Sequence, residues 1–272
     1  MGRHLVAPAF RHGTEAFPGA LRFDERIRSP ARLYVEAGKV VRDRAPTLAF
    51  GPPPRRRMVP KLVTEFLGTF FLVLTIGLTV LIGSAYAPFA IGGVLIAMIY
   101  LGGHVSDAHY NPAITLAFWL RGRLPAREIA PYMAAQLLAA VAAALVAYGV
   151  TGDVLQVTPA EETGLGAFFL LELLFTFALA LVILNVASAS NLEGNEFYGI
   201  AIGFVVVGGA LAAGPISGGA FNPAVALGPA LVDLAVGDGR SVGSLWVYLP
   251  ATFAGAALGA LAFRLQNPHD VD

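Results

Sequence analysis

Apolar residues are gathered into long stretches along the chain, separated by short polar segments. A helix needs about 20 apolar residues to cross about 30 Å of hydrocarbon. Six stretches are close to that length and cover approximately residues 59–84, 88–105, 129–150, 165–187, 197–213 and 245–265. Small residues are dense within them and allow membrane helices to approach closely. The pattern predicts a tight bundle of six membrane-spanning helices.

Two further apolar segments, 111–120 and 222–234, are too short to cross the bilayer but long enough to reach its middle. Irregular backbone at membrane depth is tolerated only where it is buried in protein or lines a watery cavity. The segments therefore predict a pore. The expected fold is an all-α membrane protein with six transmembrane helices and two half-helices.

Composition supports membrane embedding, because 56% of the residues are apolar and only 13% are charged. The chain has no cysteine, which excludes a disulfide framework and a thiolate metal site. Residues 1–57 are different in character: they are polar, rich in arginine and interrupted by prolines. They predict a basic, disordered extension ahead of a membrane domain over 58–272. A second interpretation is that Met58 is the true start of the protein.

Basic residues near the membrane favour the cytoplasmic side. Such residues flank the predicted spans at Arg55, Arg56, Arg57, Arg121, Arg123, Arg127 and Arg264, while Asp153, Glu161, Glu162 and Asp233 fall on the opposite side. Arg240, Glu193 and Glu196 run against this bias. The prediction is an integral protein of the plasma membrane with both termini in the cytoplasm.

The two halves of the membrane domain repeat a pattern, over 58–150 and 164–265. Glu-x-x-x-Thr-Phe begins at Glu65 in the first half and at Glu172 in the second. In each half an Asn-Pro-Ala triplet lies five residues after a serine, Ser106 or Ser217. Because each repeat has three spans, the second copy must be upside down relative to the first, which makes an inverted repeat. The half-helices then enter from opposite faces and meet at mid-membrane.

These features resemble the aquaporin, or major intrinsic protein, family. The resemblance rests on six spans, a glutamate in the first helix of each half, and the triplets Asn111-Pro112-Ala113 and Asn222-Pro223-Ala224. It covers about residues 58–265 and implies a passive pore for water or small neutral solutes, in a homotetramer with one pore in each subunit. It implies no enzymatic activity and no cofactor, and we expect no metal and no nucleic acid partner.

The triplets suit a pore that excludes protons. Proline at the first helical turn sacrifices an amide that would be unpaired anyway, and the asparagine oxygen caps the helix, leaving its NH2 group free. With Asn111 and Asn222 facing each other, two donors converge on one water and break the chain of hydrogen bonds that a proton would follow. Each helix start also carries about +0.5 charge, which repels cations.

The resemblance further implies that Glu65 and Glu172 accept hydrogen bonds from the buried backbone of the half-helix loops; a proton relay is the alternative. His104 and His109 are predicted to satisfy loop backbone in the first loop rather than bind a metal, since no cluster of metal ligands accompanies them.

The narrowest part of the pore is carried over by distance from the triplets to Ile91, Ala210, Gly219 and Val225. Many aquaporins have an arginine where this chain has Val225. The expected filter is therefore wide and weakly polar, passing water together with urea, ammonia, glycerol or hydrogen peroxide. The alternatives are a strict water channel and an ion-coupled secondary transporter, which is built from similar repeats but needs a coupling-ion site.

Overall fold

A computed structural model of the protein describes residues 33–36, 39–42 and 58–270, the first two ranges as backbone only. The chain forms two compact units, one ending at Pro54 and one beginning at Arg55. In the first unit, strands β1 (Leu33–Glu36) and β2 (Lys39–Arg42) pair antiparallel, with Leu33 opposite Arg42. This hairpin lies inside the segment predicted to be disordered. The rest of that segment, including Arg55, Arg56 and Arg57, lies outside the described residues.

Every described α-helix belongs to the second unit, and the prediction of six spans and two half-helices is confirmed. Six helices are long and apolar enough to cross a membrane. They are α1 (Met58–Leu81), α2 (Ala87–Ser106), α4 (Ala126–Thr151), α5 (Leu165–Ser188), α6 (Tyr198–Ser217) and α8 (Leu245–Gln266). The two short helices are α3 (Pro112–Leu120) and α7 (Pro223–Val236). Single turns of 3-10 helix lie at Ser190–Leu192, Arg240–Ser244 and Pro268–Asp270.

Helix α6 is longer than the sequence indicated. The predicted stretch ended at Ala213, but the helix continues to Ser217 with Pro215 inside it. Proline removes one backbone donor, a loss that membrane helices tolerate where neighbouring groups compensate. The helix ends where Gly218 adopts a left-handed conformation, with φ of 86°, and its N–H bonds the carbonyl of Gly214.

The helices pack as two equivalent halves. Helix α1 contacts α2 and α4, and α5 contacts α6 and α8 in the same arrangement. The halves meet where α2 crosses α6, at Gly92 and Gly203. A Cβ added to Gly92 would lie 2.8 Å from the carbonyl oxygen of Gly203, and one added to Gly203 would lie 2.7 Å from that of Gly92. Only glycine permits this approach.

The ends of the bundle are identified by contacts between loops. At the end where α1 begins, called the N-side, Lys61 pairs with Glu128 at 2.7 Å, and Ser190 lies against Asp270. At the opposite end, called the distal side, the segment joining α4 to α5 contacts the end of α6 through the N–H of Ala160 and the carbonyl of Ile216, at 3.0 Å. The chain thus crosses from side to side with each span.

Candidate functional site

Both half-helices begin with the same cap. The side-chain oxygen of Asn111 accepts a hydrogen bond from the N–H of Ala113 at 2.8 Å, and that of Asn222 accepts from Ala224 at 2.9 Å. Both asparagines have extended backbone, as N-cap residues do, and each is followed by a proline at the first helical position. Each triplet therefore fixes where its half-helix starts.

The two caps are joined to each other across the middle of the bundle. The side-chain nitrogen of Asn111 donates to the carbonyl of Phe221 at 2.9 Å, and that of Asn222 donates to the carbonyl of Tyr110, also at 2.9 Å. The two helix starts therefore abut. The sequence suggested that both amide hydrogens would be free, whereas the structure commits one of the two on each asparagine to the opposite loop. One N–H on each side is left for the lumen.

The loops before the caps have a repeated, strained backbone. Positive φ occurs at Asp107, Ala108 and Tyr110 in the first loop, with values of 67°, 50° and 49°. The second loop repeats it at Gly218, Gly219 and Phe221, with values of 86°, 63° and 49°. Left-handed backbone is costly for residues other than glycine and persists only where the surroundings enforce it. Something must therefore hold both loops.

Two buried glutamates hold the loops before Asn111 and Asn222 in this conformation. Glu65 is fully buried in α1 and accepts from the N–H groups of His109 at 2.9 Å and Tyr110 at 2.7 Å, and from Ser106 Oγ at 2.7 Å. Its fourth donor is Gln136 Nε2 from α4, at 2.7 Å. All four are donors, which matches a carboxylate that can only accept.

Glu172 holds the second loop in the same way with fewer partners. It is fully buried in α5 and accepts from Ser217 Oγ at 2.7 Å, the N–H of Ala220 at 3.1 Å and the N–H of Phe221 at 2.8 Å. In both halves, the glutamate oxygens satisfy loop amides that the strained backbone leaves without helical partners.

Two tyrosines complete the loop supports and were missed in the sequence. Tyr132 in α4 donates to the carbonyl of Ser106 at 3.1 Å, and Tyr248 in α8 donates to that of Ser217 at 2.5 Å. Both are fully buried. They occupy matching places in the third span of each half, so a comparison of the halves extended to those spans would have found them.

The two histidines of the first loop differ from their predicted role. His109 is buried, and its Nδ1 lies 3.2 Å from Thr115 Oγ1 rather than from loop backbone. Its ring packs on Phe118, with centroids 4.2 Å apart. His104 is exposed at the last turn of α2, where it lines a 550 Å³ vestibule on the N-side.

A cavity of about 330 Å³ passes between the two helix starts. Asn111 and Asn222 line it, and so do the four positions inferred for the filter, Ile91, Ala210, Gly219 and Val225. Its wall also includes Gly103 and Tyr198 on the N-side, and Gln156, Val157 and Thr158 on the distal side. One cavity thus connects the asparagines of both triplets to residues near both ends of the bundle.

The electrostatics at mid-cavity favour neutral or electron-rich groups. Neither half-helix has an acidic residue in its first turn, so the positive end of each helix dipole is not neutralised there. Within residues 58–270, no group of three or more His, Asp or Glu side chains is placed to hold a metal ion.

Comparison with known proteins agrees with this architecture. The family model described as major intrinsic protein matches residues 54–263. Aquaporin NIP1-4 of Oryza sativa subsp. japonica is 39% identical over 226 residues, which are 79% of this chain and 80% of that protein. Probable aquaporin NIP4-2 of Arabidopsis thaliana is 34% identical over 222 residues, which are 77% of this chain and 75% of that protein.

The fold also matches a solved structure, the aquaglyceroporin from Plasmodium falciparum. The TM-score is 0.66 at 22% sequence identity, and the match covers 78% of this chain and 96% of that one. At that identity the likeness concerns the fold alone. The family model and the sequence relatives, together with the paired half-helices, show that this chain belongs to the major intrinsic protein family, whose members are passive channels for water and small solutes.

Proposed function

We propose that this protein is a pore for water and small neutral solutes that excludes protons and other cations. The observation that carries the proposal is the pair of bonds in which Asn111 and Asn222 each donate to the loop of the other half. They bring two caps, and hence two helix starts, to one level of a single cavity. The candidate solutes are urea, ammonia, glycerol and hydrogen peroxide.

Proton exclusion is supported by the amide hydrogens of Asn111 and Asn222 that the caps leave free. One N–H of Asn111 and one of Asn222 are not used by the opposite loop, so both are available to a water oxygen at that level. A water that accepts from both turns its own hydrogens away and cannot relay a proton along the file. The two helix dipoles add a positive potential at the same place, which raises the barrier for a cation.

A wide filter follows from the side chains at the four inferred positions. Ile91, Ala210, Gly219 and Val225 are apolar or lack a side chain, and none is charged or aromatic. Ile91 is 8% exposed and Val225 is 3% exposed, so little of either side chain enters the lumen. The width of the lumen and a few backbone and amide groups therefore determine which solutes pass. At these four positions no guanidinium narrows the lumen.

The proposal includes the membrane, the orientation and the oligomeric state of the channel. The arginines of the N-side loops support a cytoplasmic position for both termini, in a protein of the plasma membrane. Four copies form a homotetramer, each with its own pore, so the exposed apolar surface is shared between lipid and neighbouring subunits. Cross-linking in membranes and protease accessibility of sealed vesicles test these two points.

Stopped-flow light scattering on proteoliposomes tests the function. The full chain is expected to accelerate the flux of water and of at least one of the four solutes, without collapsing a proton gradient measured with an internal pH dye. High water flux with exclusion of every solute would show a strict water channel. Solute flux that depends on a proton or sodium gradient would show a transporter.

A substitution at position 225 tests the filter. Val225→Arg is expected to lower glycerol and urea flux by about tenfold, which corresponds to an added barrier of about 1.4 kcal/mol. The guanidinium must enter the lumen, because Val225 is in an apolar cluster with Leu155 and Val157 that cannot take a charge. Val225→Leu adds bulk without charge and serves as the control. Unchanged solute flux in the arginine variant would place the constriction elsewhere.

A further inference from the structure

The distal mouth of the cavity is formed in part by a segment with no regular structure. Residues 155–158, between α4 and α5, all line the cavity, and Leu155 and Val157 are buried against the second half-helix. The carbonyl of Thr158 closely approaches the second loop, since a Cβ on Gly218 would lie 2.7 Å from it. The position of this segment therefore sets the width of the mouth.

One polar side chain in the segment fixes that position. Gln156 Nε2 donates to Asp233 Oδ1 at 2.9 Å and to Asp238 Oδ1 at 2.6 Å. Asp233 belongs to the last turns of α7, and Asp238 to the turn after it. The mouth segment is thus tied to the end of the same half-helix that begins at Asn222.

The carboxylate of Asp233 is fixed by burial and by hydrogen bonds. It is fully buried, although Gln156, which it contacts, is only partly buried. Its second oxygen accepts from the N–H of Ser241 at 3.0 Å and from the Ser241 hydroxyl. Gly237 is needed beside it, because an added Cβ would overlap Asp233 Oδ1. A buried carboxylate with this many donors is a rigid anchor.

We propose that Gln156 and Asp233 are positioning residues for solute selectivity: their contact holds the segment 155–158 against the cavity and limits the size of solute that enters from the distal side. The inference rests on the proposed pore function. Gln156 supplies the side-chain hydrogen bond that ties the segment to the half-helix. Asp238 is a minor partner, because it is exposed and also pairs with Arg240 at 3.3 Å.

The test compares permeability to glycerol with permeability to water in proteoliposomes. Gln156→Leu keeps the size of the side chain and removes its donor. It is expected to raise the glycerol to water ratio by about two- to tenfold, the range that one hydrogen bond of about 0.5–1.5 kcal/mol can produce. Arg240→Gln is the matched control, because Arg240 is on the same surface and contacts Asp238 without touching the mouth segment; its ratio should equal that of the native chain.

Exchanging the donor and the acceptor between position 156 and its partners tests whether the contact itself sets the ratio. In Gln156→Glu alone, a carboxylate faces both Asp233 and Asp238 and the contacts are repulsive, so the ratio should rise. In the triple variant Gln156→Glu with Asp233→Asn and Asp238→Asn, the new amides can donate to the carboxylate introduced at position 156. The oxygen of the new amide at position 233 still accepts from Ser241, and the ratio should return toward the native value. A purely structural role would lower the water flux and the glycerol flux together, so it would produce neither the rise in their ratio nor its recovery.

The outcomes separate the inference from the function on which it rests. A native chain that conducts neither water nor solute would overturn the proposed function. A native chain that conducts, together with an unchanged ratio in Gln156→Leu or an equal change in Arg240→Gln, would overturn the role of Gln156 and Asp233. Should Gln156→Leu fail to fold, Gly237→Ala crowds Oδ1 of Asp233, the oxygen that accepts from Gln156, and must raise the ratio if the inference holds.

Discussion

The two halves of the channel share a backbone but not the chemistry that supports it. Both loops have positive φ at the same three positions before their asparagine, and both are held by a buried glutamate and a tyrosine. In the first half, however, polar side chains extend the network beyond the glutamate. Gln136 bonds both Glu65 and Thr115, the latter at 3.0 Å.

The second half replaces those side chains with smaller ones. The place equivalent to Gln136, four residues after the tyrosine, is Thr252, whose hydroxyl bonds the carbonyl of Tyr248 in its own helix at 2.7 Å. The place equivalent to Thr115 is Ala226, and the place equivalent to His109 is Ala220. The second loop is thus held by packing, by Glu172 and by Tyr248, without the further polar side chains that the first half adds.

The outer ends of the half-helices differ as well. Helix α3 ends at Leu120, whose carbonyl accepts from Arg264. The next residue, Arg121, stacks on Phe263 at 4.7 Å. These cations complement the negative end of the helix dipole. Helix α7 has Asp233 there, so its end requires neutral donors from Gln156 and Ser241. The inverted repeat therefore gives the two halves the same backbone path, but the charged and polar groups that stabilise the outer end of each half-helix differ between the two membrane sides.

The largest expected effect comes from removing the buried glutamates. Glu65→Leu and Glu172→Leu leave loop donors buried without an acceptor, and each should lower the free energy of unfolding by at least about 3 kcal/mol. Glu65→Leu should cost more, because Glu65 has the extra donor Gln136. Titration with SDS in mixed micelles measures the difference, with the exposed Glu193→Leu as control. Equal losses would show that the side-chain layer of the first half adds nothing.

The helices were predictable because the bilayer leaves few alternatives. A run of about 20 apolar residues must form a spanning helix, and a shorter run must be shielded. The Asn-Pro pairs predicted where Pro112 and Pro223 begin their helices, because capping is local chemistry. Their placement at one level of a shared cavity followed from the repeat.

Contacts between distant residues were not predictable. The left-handed backbone of Tyr110 and Phe221 depends on glutamates 45 and 49 positions away, and no local pattern demands it. The bonds from each asparagine to the opposite loop span 110 and 112 positions. Gln136 and Gln156 were missed because neither has a counterpart in the other half, so the comparison that found the triplets could not find them.

A smaller effect is expected from the polar layer that only the first half has. Gln136→Leu removes a buried donor from Glu65 and should cost about 2 kcal/mol, as bonds to charged groups do. Thr252→Val removes only a bond within α8 and should cost less than about 1 kcal/mol. The same SDS titration measures both. Losses of equal size would mean that the two halves are supported equally despite their different side chains.

The smallest effect is expected at the N-side contact made by Asp270. A hydrogen bond from the N–H of Ser190 and the nearby Arg121 guanidinium hold the pKa of Asp270 below its usual range. A carboxyl whose pKa is lowered by folding contributes stability above its unfolded pKa of about 3.9, and that stability is lost as pH falls through the folded value. Asp270→Asn should therefore lower the thermal midpoint slightly at neutral pH, with the difference from the native chain shrinking below about pH 4. Thermal unfolding in detergent from pH 7 to pH 3 measures it, with the exposed distal Asp153→Asn as control. A difference that persists at the lowest pH would show that Asp270 acts through packing rather than charge.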